Sequence, residues 1–167
     1  VKVPVVFCDL DSTLADTQHR AEWIEGPKSR GERIDWNAYS MQCTNDRLIE
    51  GTAALLRLLD ELGVVIVLLS GRAEQARELT EKWLAKHDIP YADLLLREKA
   101  MREHQGKYKL GRIVDWQANH PDHEVVLHID DWHEVSEKLA SIQLPMLGVN
   151  PFYATELERQ KDLDQLR

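Results

Sequence analysis

With 167 residues, 43% of them hydrophobic and 30% charged, the chain has the length expected of one domain that buries its own core. Its formal net charge of −8 argues against avid, sequence-independent binding along a nucleic-acid backbone, which needs a basic surface, but leaves room for a local grip on one phosphate end. No apolar run reaches the ~18 residues of a membrane span, no secretory signal pattern opens the chain, and two cysteines, Cys8 and Cys43, are too few for a disulfide framework; a cytoplasmic location away from membranes is expected.

The first predicted element is the apolar run Val3–Cys8, a buried strand that ends at Asp9. Residues 16–50 then break the strand–helix rhythm. Gln18–Glu25 and Asp35–Met41 are expected to be short helices on either side of a polar loop, Gly26–Arg33. An insert of this length is usually functional. Residues 52–62 repeat apolar positions at helical spacing and stop at Gly63. Val64–Leu69 reads as a second strand, and Gly71 to His87 as a long helix closed by Pro90. A third strand is expected at Leu94–Leu96, a helix at Leu110–Ala118 and a fourth strand at Val125–Ile129. Another helix follows at Val135–Ile142, then a fifth strand at Met146–Val149. This alternation predicts an α/β fold: a Rossmann-like parallel five-stranded sheet with helices on both faces and a small helical insert after strand 1. The domain is expected over residues 1–152. The polar stretch 153–167 reads as a C-terminal helical tail, docked on the body or paired with another subunit.

In open α/β sheets, ligands sit at the carboxyl ends of the strands. Polar residues follow three of the apolar runs: Asp9 and Asp11, then Ser70–Gly71–Arg72, then Asp130–Asp131. A single acid at a strand end reads as a helix cap or a solvated turn. Three polar strand ends suit one metal–phosphate site. A carboxylate can attack phosphorus to give an acyl phosphate, provided a cation screens the approach of one anion to another. Mg²⁺ takes oxygen ligands and keeps waters, so one or two carboxylates suffice. A second carboxyl can protonate the leaving oxygen and then activate water. Ser70, read as opening a helix, offers hydroxyl and N–H donors to phosphate oxygens. Arg72 reads as a phosphate clamp, with Gly71 allowing close approach.

Asp9-x-Asp11-x-Thr13-Leu14, then Ser70, a lysine and Asp130–Asp131 resemble the four ordered motifs of the haloacid dehalogenase (HAD) superfamily of phosphohydrolases, over residues 3 to about 150. The resemblance implies Asp9 as nucleophile and Asp11 as general acid/base. It implies Mg²⁺ held by the Asp9 carboxylate, the Asp11 carbonyl and Asp130, with Asp131 supporting the metal directly or through water. An acid at position 11 marks the phosphatase branch. The lysine is Lys109 or Lys107, with Lys109 preferred because it adjoins the helix expected from Leu110.

A finer resemblance rests on Ser70–Gly71–Arg72, Asp130–Asp131, Arg20 nine residues past Asp11, and Asp35–Trp36…Tyr39…Cys43…Asp46. Together they are similar to the 3′-phosphatase domain of phage-type polynucleotide kinase/phosphatases. This implies removal of a 3′-phosphate from nucleic-acid ends or nucleotides. Arg20 and Arg72 would contact phosphate through forked donors, with Thr13 and Gly71 beside them. Three features depart from that family. No GxxxxGK[ST] loop occurs, so no kinase half is expected in these residues. Gln105 stands where the family has an acid, and Trp132 where it tends to Arg. Trp132 reads as a core or rim residue ahead of a base-stacking one. Trp23, Trp36 and Trp83 read as packing residues in helices. His120, His123, His128 and His133 match no common zinc spacing.

The small insert leaves the site open enough for a macromolecular end. The expected substrate is therefore a phosphorylated nucleic-acid end or a nucleotide. The alternatives are a small-molecule or 5′-nucleotide phosphatase of the same superfamily and, from another class, an inert metal-binding or regulatory module.

Overall fold

The computed structural model describes residues 1–98 and 103–149, so the expected tail at 153–167 lies outside the described residues. In chain order, β1 (Val3–Cys8) leads into β2 (Ala15–Asp16), α1 (Glu22–Ser29), α2 (Trp36–Met41) and β3 (Arg47–Leu48). Then come α3 (Glu50–Glu61), β4 (Val65–Ala73), α4 (Arg77–Lys86) and β5 (Asp93–Arg97). The described part closes with α5 (Gln105–Asn119), β6 (His123–Asp130), α6 (His133–Ala140) and β7 (Met146–Gly148). Five strands form one sheet in the order β5-β4-β1-β6-β7, every pair parallel.

Alternation along the strands divides the core in two. Val6, Cys8, Ile66 and Leu68 face Ala53 and Leu56 of α3 and Trp83 and Leu84 of α4. Val5, Phe7, Val67 and Leu69 face Tyr108, Ile113 and Trp116 of α5 and Val135 and Leu139 of α6. Each fully buried large apolar side chain contributes about 1.5–3 kcal/mol, so the period-two pattern fixes both the register and the two-sided cover. The α/β architecture expected from the alternation of elements is the one observed. No described helix is long and apolar enough to cross a membrane.

The differences lie near the sheet's carboxyl edge. β4 continues through Ala73, so Ser70, Gly71 and Arg72 belong to a strand and Ser70 opens no helix. A short 3₁₀ turn, Glu74–Ala76, precedes α4 at Arg77. The extension is held by tertiary contact: the Ala73 amide donates to Ser40 Oγ on α2 (3.0 Å), which local periodicity does not encode. Likewise α5 begins at Gln105 rather than Leu110, which puts both Lys107 and Lys109 inside it.

In the insert, the first expected helix divides into a 3₁₀ turn, Gln18–Arg20, and α1, which runs through Pro27 to Ser29 and shortens the expected loop. α2 starts where Asp35 caps it, accepting from the Asn37 and Ala38 amides at 3.0 Å each. β2 and β3 pair antiparallel and close the base of the insert, an element too short to leave a sequence pattern.

Candidate active site

β1 is the central strand, and its end delivers Asp9 between the ends of β4 and β6. The Asp9 amide donates to Ile129 O (2.9 Å), which aligns the two strand exits. Ser12 then turns the chain with a φ of +66°, so Asp11 does not simply continue the strand. Asp9 is 5% exposed, and Lys109 Nζ lies 3.1 Å from its Oδ2. The same ammonium donates to Asp130 Oδ2 at 2.5 Å. His128, two residues before Asp130 on β6, places Nε2 2.7 Å from that oxygen. The Trp132 amide donates to Asp130 Oδ1 (2.9 Å), and Thr13 Oγ1 to Asp131 Oδ1 (3.3 Å).

Asp9, Asp130 and Asp131 can each turn one carboxylate oxygen to within 4.8 Å of the others. Asp9 Oδ1 is buried without a hydrogen-bond partner among the described residues, an uncommon state for a carboxylate oxygen. An all-oxygen donor set with one oxygen unsatisfied fits a hard divalent cation such as Mg²⁺.

Electrostatics separate the acids. Burial pushes Asp9 up to about 8, against Lys109, while the neighbouring acids add to the rise. Burial also acts on Asp130, but His128 and Lys109 outweigh it and hold the carboxyl at about 2. Asp131 rises to about 6 through burial and the charge of Asp130. Burial alone would lower the Lys109 ammonium; Asp9 and Asp130 outweigh it and hold the group above the usual range. His128 is lowered by burial despite Asp130, so its neutral ring donates through Nε2.

A second network lies beside the first. Arg20 and Arg72, both essentially buried, place Nη2 2.6 and 2.5 Å from Asp11 Oδ1. Both also bond Asp46 Oδ2, at 2.8 and 3.0 Å, and Arg20 Nε reaches Asp46 Oδ1 at 2.9 Å. Two cations and two carboxylates thus neutralise one another. Burial would raise the Asp11 carboxyl, but the two arginines overcome it and hold it below the usual range. Both networks open onto one cleft of about 1080 Å³ lined by Asp9, Asp11, Ser70, Arg72, Lys109 and Asp131.

The family model for the polynucleotide kinase PNKP phosphatase domain, a HAD-type model, matches residues 3–152. The chain belongs to this family. PNKP-type relatives also stand among solved structures. A chain of the Pnkp1/Rnl/Hen1 complex is 27% identical, with a TM-score of 0.69 over 87% of this chain and 45% of that one. A chain of the Pnkp1/Rnl/Hen1 RNA repair complex is 26% identical, with a TM-score of 0.70 over 89% of this chain and 42% of that one. The present chain therefore spans less than half the length of either. The class C acid phosphatase from Bacillus anthracis is 19% identical, with a TM-score of 0.62 over 99% of this chain and 78% of that one, and shares the fold. No curated protein sequence matches the chain.

Within this PNKP-type phosphatase domain, the residues singled out in the sequence converge. Asp9, Asp11, Ser70, Gly71, Arg72, Lys109 and Asp131 line the cleft, and Asp130 lies directly behind it. Of the two lysines, Lys109 is the one that reaches Asp9 and Asp130. Lys107 is exposed, and its ammonium lies 4.0 Å from Glu103. Arg20 and Arg72 are turned onto Asp11 and Asp46 rather than into open space. Gly71 is approached by Gln105, whose amide a Cβ would meet at 2.3 Å. Of the tryptophans read as packing residues, Trp83 packs in the core as expected, but Trp23 and Trp36 do not, being 41% and 55% exposed; Trp132, 46% exposed, stands at the cleft's rim rather than in the core. Two site residues carried no assigned role in the sequence: Asp46 and His128. His128 shares the period-two face of Asp130, a signal that was present. Asp46 joins the site only because the insert folds back.

Proposed function

We propose that this chain is a Mg²⁺-dependent phosphomonoesterase that removes 3′-phosphate from polynucleotide ends or nucleotides through an aspartyl-phosphate on Asp9. The observation that carries the reading is the buried Asp9, with Lys109 on one carboxylate oxygen and the other oxygen unpartnered. Asp9, Asp130 and Asp131, with the Asp11 carbonyl, would hold the cation. When bound, the cation screens the phosphate's charge and favours the ionised form of Asp9.

Asp9 attacks phosphorus as the ester P–O bond breaks, and Asp11, which must first take up a proton against the two arginines, passes it to the leaving oxygen. Asp11 then takes a proton from water, which displaces the phosphoryl group and regenerates the Asp9 carboxylate. Lys109 and Ser70 hold the phosphoryl oxygens as charge develops. Arg20 and Arg72 orient Asp11. An incoming phosphate competes for the Arg72 donors, so substrate entry loosens their hold on the proton-transfer residue. Similarity to a chain of an RNA repair complex supports a role at nucleic-acid ends and in a repair assembly.

The free nucleotide is the second reading, favoured by the net charge of −8. The deciding assay compares a 3′-phosphorylated oligonucleotide, its 5′ isomer, and free 3′- and 5′-nucleotides, each with Mg²⁺ and with EDTA. Preferential, Mg²⁺-dependent release from 3′ ends is expected. Equal rates on 3′ and 5′ isomers would remove the 3′ assignment and leave a general phosphatase. Asp9→Asn is expected to lower turnover by at least ~10³-fold with an unchanged circular dichroism spectrum. Ordinary turnover by that variant contradicts the nucleophile assignment, and no Mg²⁺-dependent release from any substrate leaves the inert module.

A further inference from the structure

Three of the five tryptophans are exposed, and two of those three, Trp36 and Trp132, line the cleft that holds Asp9. Singly exposed apolar side chains are ordinary, but two indoles in one catalytic cleft are not scatter. They come from different elements. Trp36 opens α2, which packs on β4, and Trp132 follows Asp131 directly at the end of β6. Because β4 and β6 flank β1, the two indoles stand on opposite sides of the strand that delivers Asp9.

Each ring is held from its edge or on one side. Trp132 Nε1 donates to Glu134 Oε2 (3.1 Å), and His133 flanks one face at 6.2 Å. Trp36 meets Tyr39 edge-to-face at 5.8 Å, and Tyr39 in turn lies 4.2 Å under the Arg20 guanidinium. The rings are therefore oriented without being covered. Among the described residues, the rim sets Lys28 and Arg97 against Asp35, Glu98 and Glu103. Two open indoles suit a flat group attached to the phosphoester, and every nucleobase presents a π face to an indole.

Resting on the proposed phosphatase reading, we infer that Trp36 and Trp132 are substrate-contact residues that stack on the nucleobase bearing the scissile phosphate. The occupant of the outer cleft is one terminal nucleoside, engaged in a sequence-tolerant way, rather than a length of duplex. Aromatic stacking of this kind changes affinity by about 5- to 150-fold per base.

The test compares a 3′-phosphorylated oligonucleotide with a partner whose terminal nucleoside is abasic. Wild-type protein is expected to favour the base-bearing end by about tenfold or more in kcat/KM. Trp36→Ala and Trp132→Ala are expected to raise KM about tenfold on that substrate with kcat nearly kept, and to leave the abasic substrate within about twofold. Trp→Phe at either position restores most of the loss. Equal losses on both substrates, or no base preference in the wild type, would overturn the inference.

If no 3′ end is hydrolysed, the function reading fails separately. The same comparison is then made between a 5′-nucleotide and ribose 5-phosphate, where a base preference removed by the alanine variants still supports stacking. A binding arm needs no turnover: Asp9→Asn protein titrated with the base-bearing oligonucleotide should show tryptophan quenching that weakens in each alanine variant. Quenching that is absent, or unchanged in both variants, contradicts it.

Discussion

Asp46 is the residue on which two buried arginines depend. It accepts from Arg20 and Arg72 at 2.8–3.0 Å and is itself 4% exposed. Removing one partner of a buried ion pair leaves uncompensated charge and costs about 3–5 kcal/mol. Asp46→Asn is therefore expected to lose about 3 kcal/mol in urea unfolding and to lower kcat by freeing Asp11 from its orientation; a loss below about 1 kcal/mol would show the network to be dispensable. Tyr108 gives a cleaner test of burial. Its hydroxyl has no partner among the described residues, its ring lies 4.3 Å beneath the Arg97 guanidinium, and burial pushes it up to about 12. The folded chain then keeps this proton at a pH where the unfolded chain releases it. Stability from this group is full below about pH 10 and falls as pH rises toward about 12, by about 2–3 kcal/mol. Tyr108→Phe should be nearly neutral at pH 7 and should lose less stability than the wild type between pH 8 and 11 in parallel urea titrations. Identical alkaline losses would contradict the assignment.

At the scale of elements, the placement of Lys109 against the acids depends on how α5 meets α6. Gly106, one turn before Lys109, lies so close to α6 that a Cβ would stand 2.8 Å from Lys138 Cγ and 3.1 Å from Glu134 O. The backbone oxygen cannot yield as a side chain can. Gly106→Ala is expected to cost about 1–3 kcal/mol by overpacking and to lower kcat by displacing the turn that carries Lys109. Gly111 lies in the same helix with nothing within 4 Å of a built Cβ and is exposed. Gly111→Ala should instead stabilise by up to about 1 kcal/mol, since only propensity changes there. Thermal unfolding and phosphate-release kinetics on the pair check both signs. Stabilisation by both substitutions would mean that α5 and α6 are free to separate.

At the scale of the whole molecule, the site is a concentration of negative charge that the fold keeps close and dry. A cation bound only by the folded chain adds stability by mass action, about 2.7 kcal/mol at 100 times its Kd. For a domain of this size that corresponds to a Tm rise of about 5–10 °C. Mg²⁺ is expected to produce this rise, EDTA to reverse it, and Asp130→Asn to abolish it in differential scanning fluorimetry. No shift in the wild type would remove the cation from the site. Much of this was legible in the chain. The strands are written in short apolar runs, Asp9 and Asp11 come just after β1, and Asp130–Asp131 stand at the end of β6. Their place at one sheet edge follows from the rule that ligands bind at strand carboxyl ends. What the chain did not show depends on contacts between distant segments. The extension of β4 through Arg72 hangs on Ser40 of the insert, and the pairing of Arg20 and Arg72 on Asp46 needs that insert folded back. Lys109 was already preferred over Lys107 in the sequence, but its contact with Asp9 and Asp130 required the packed fold, and the exposure of Trp36 and Trp132 required the cleft itself. Sequence by itself thus determined the sheet and the identity of its acids, because both are local properties of short apolar runs and the residues that end them. Tertiary structure alone decided which cation meets which carboxylate and which aromatic face stays open, because those are set by packing between helices far apart in the chain.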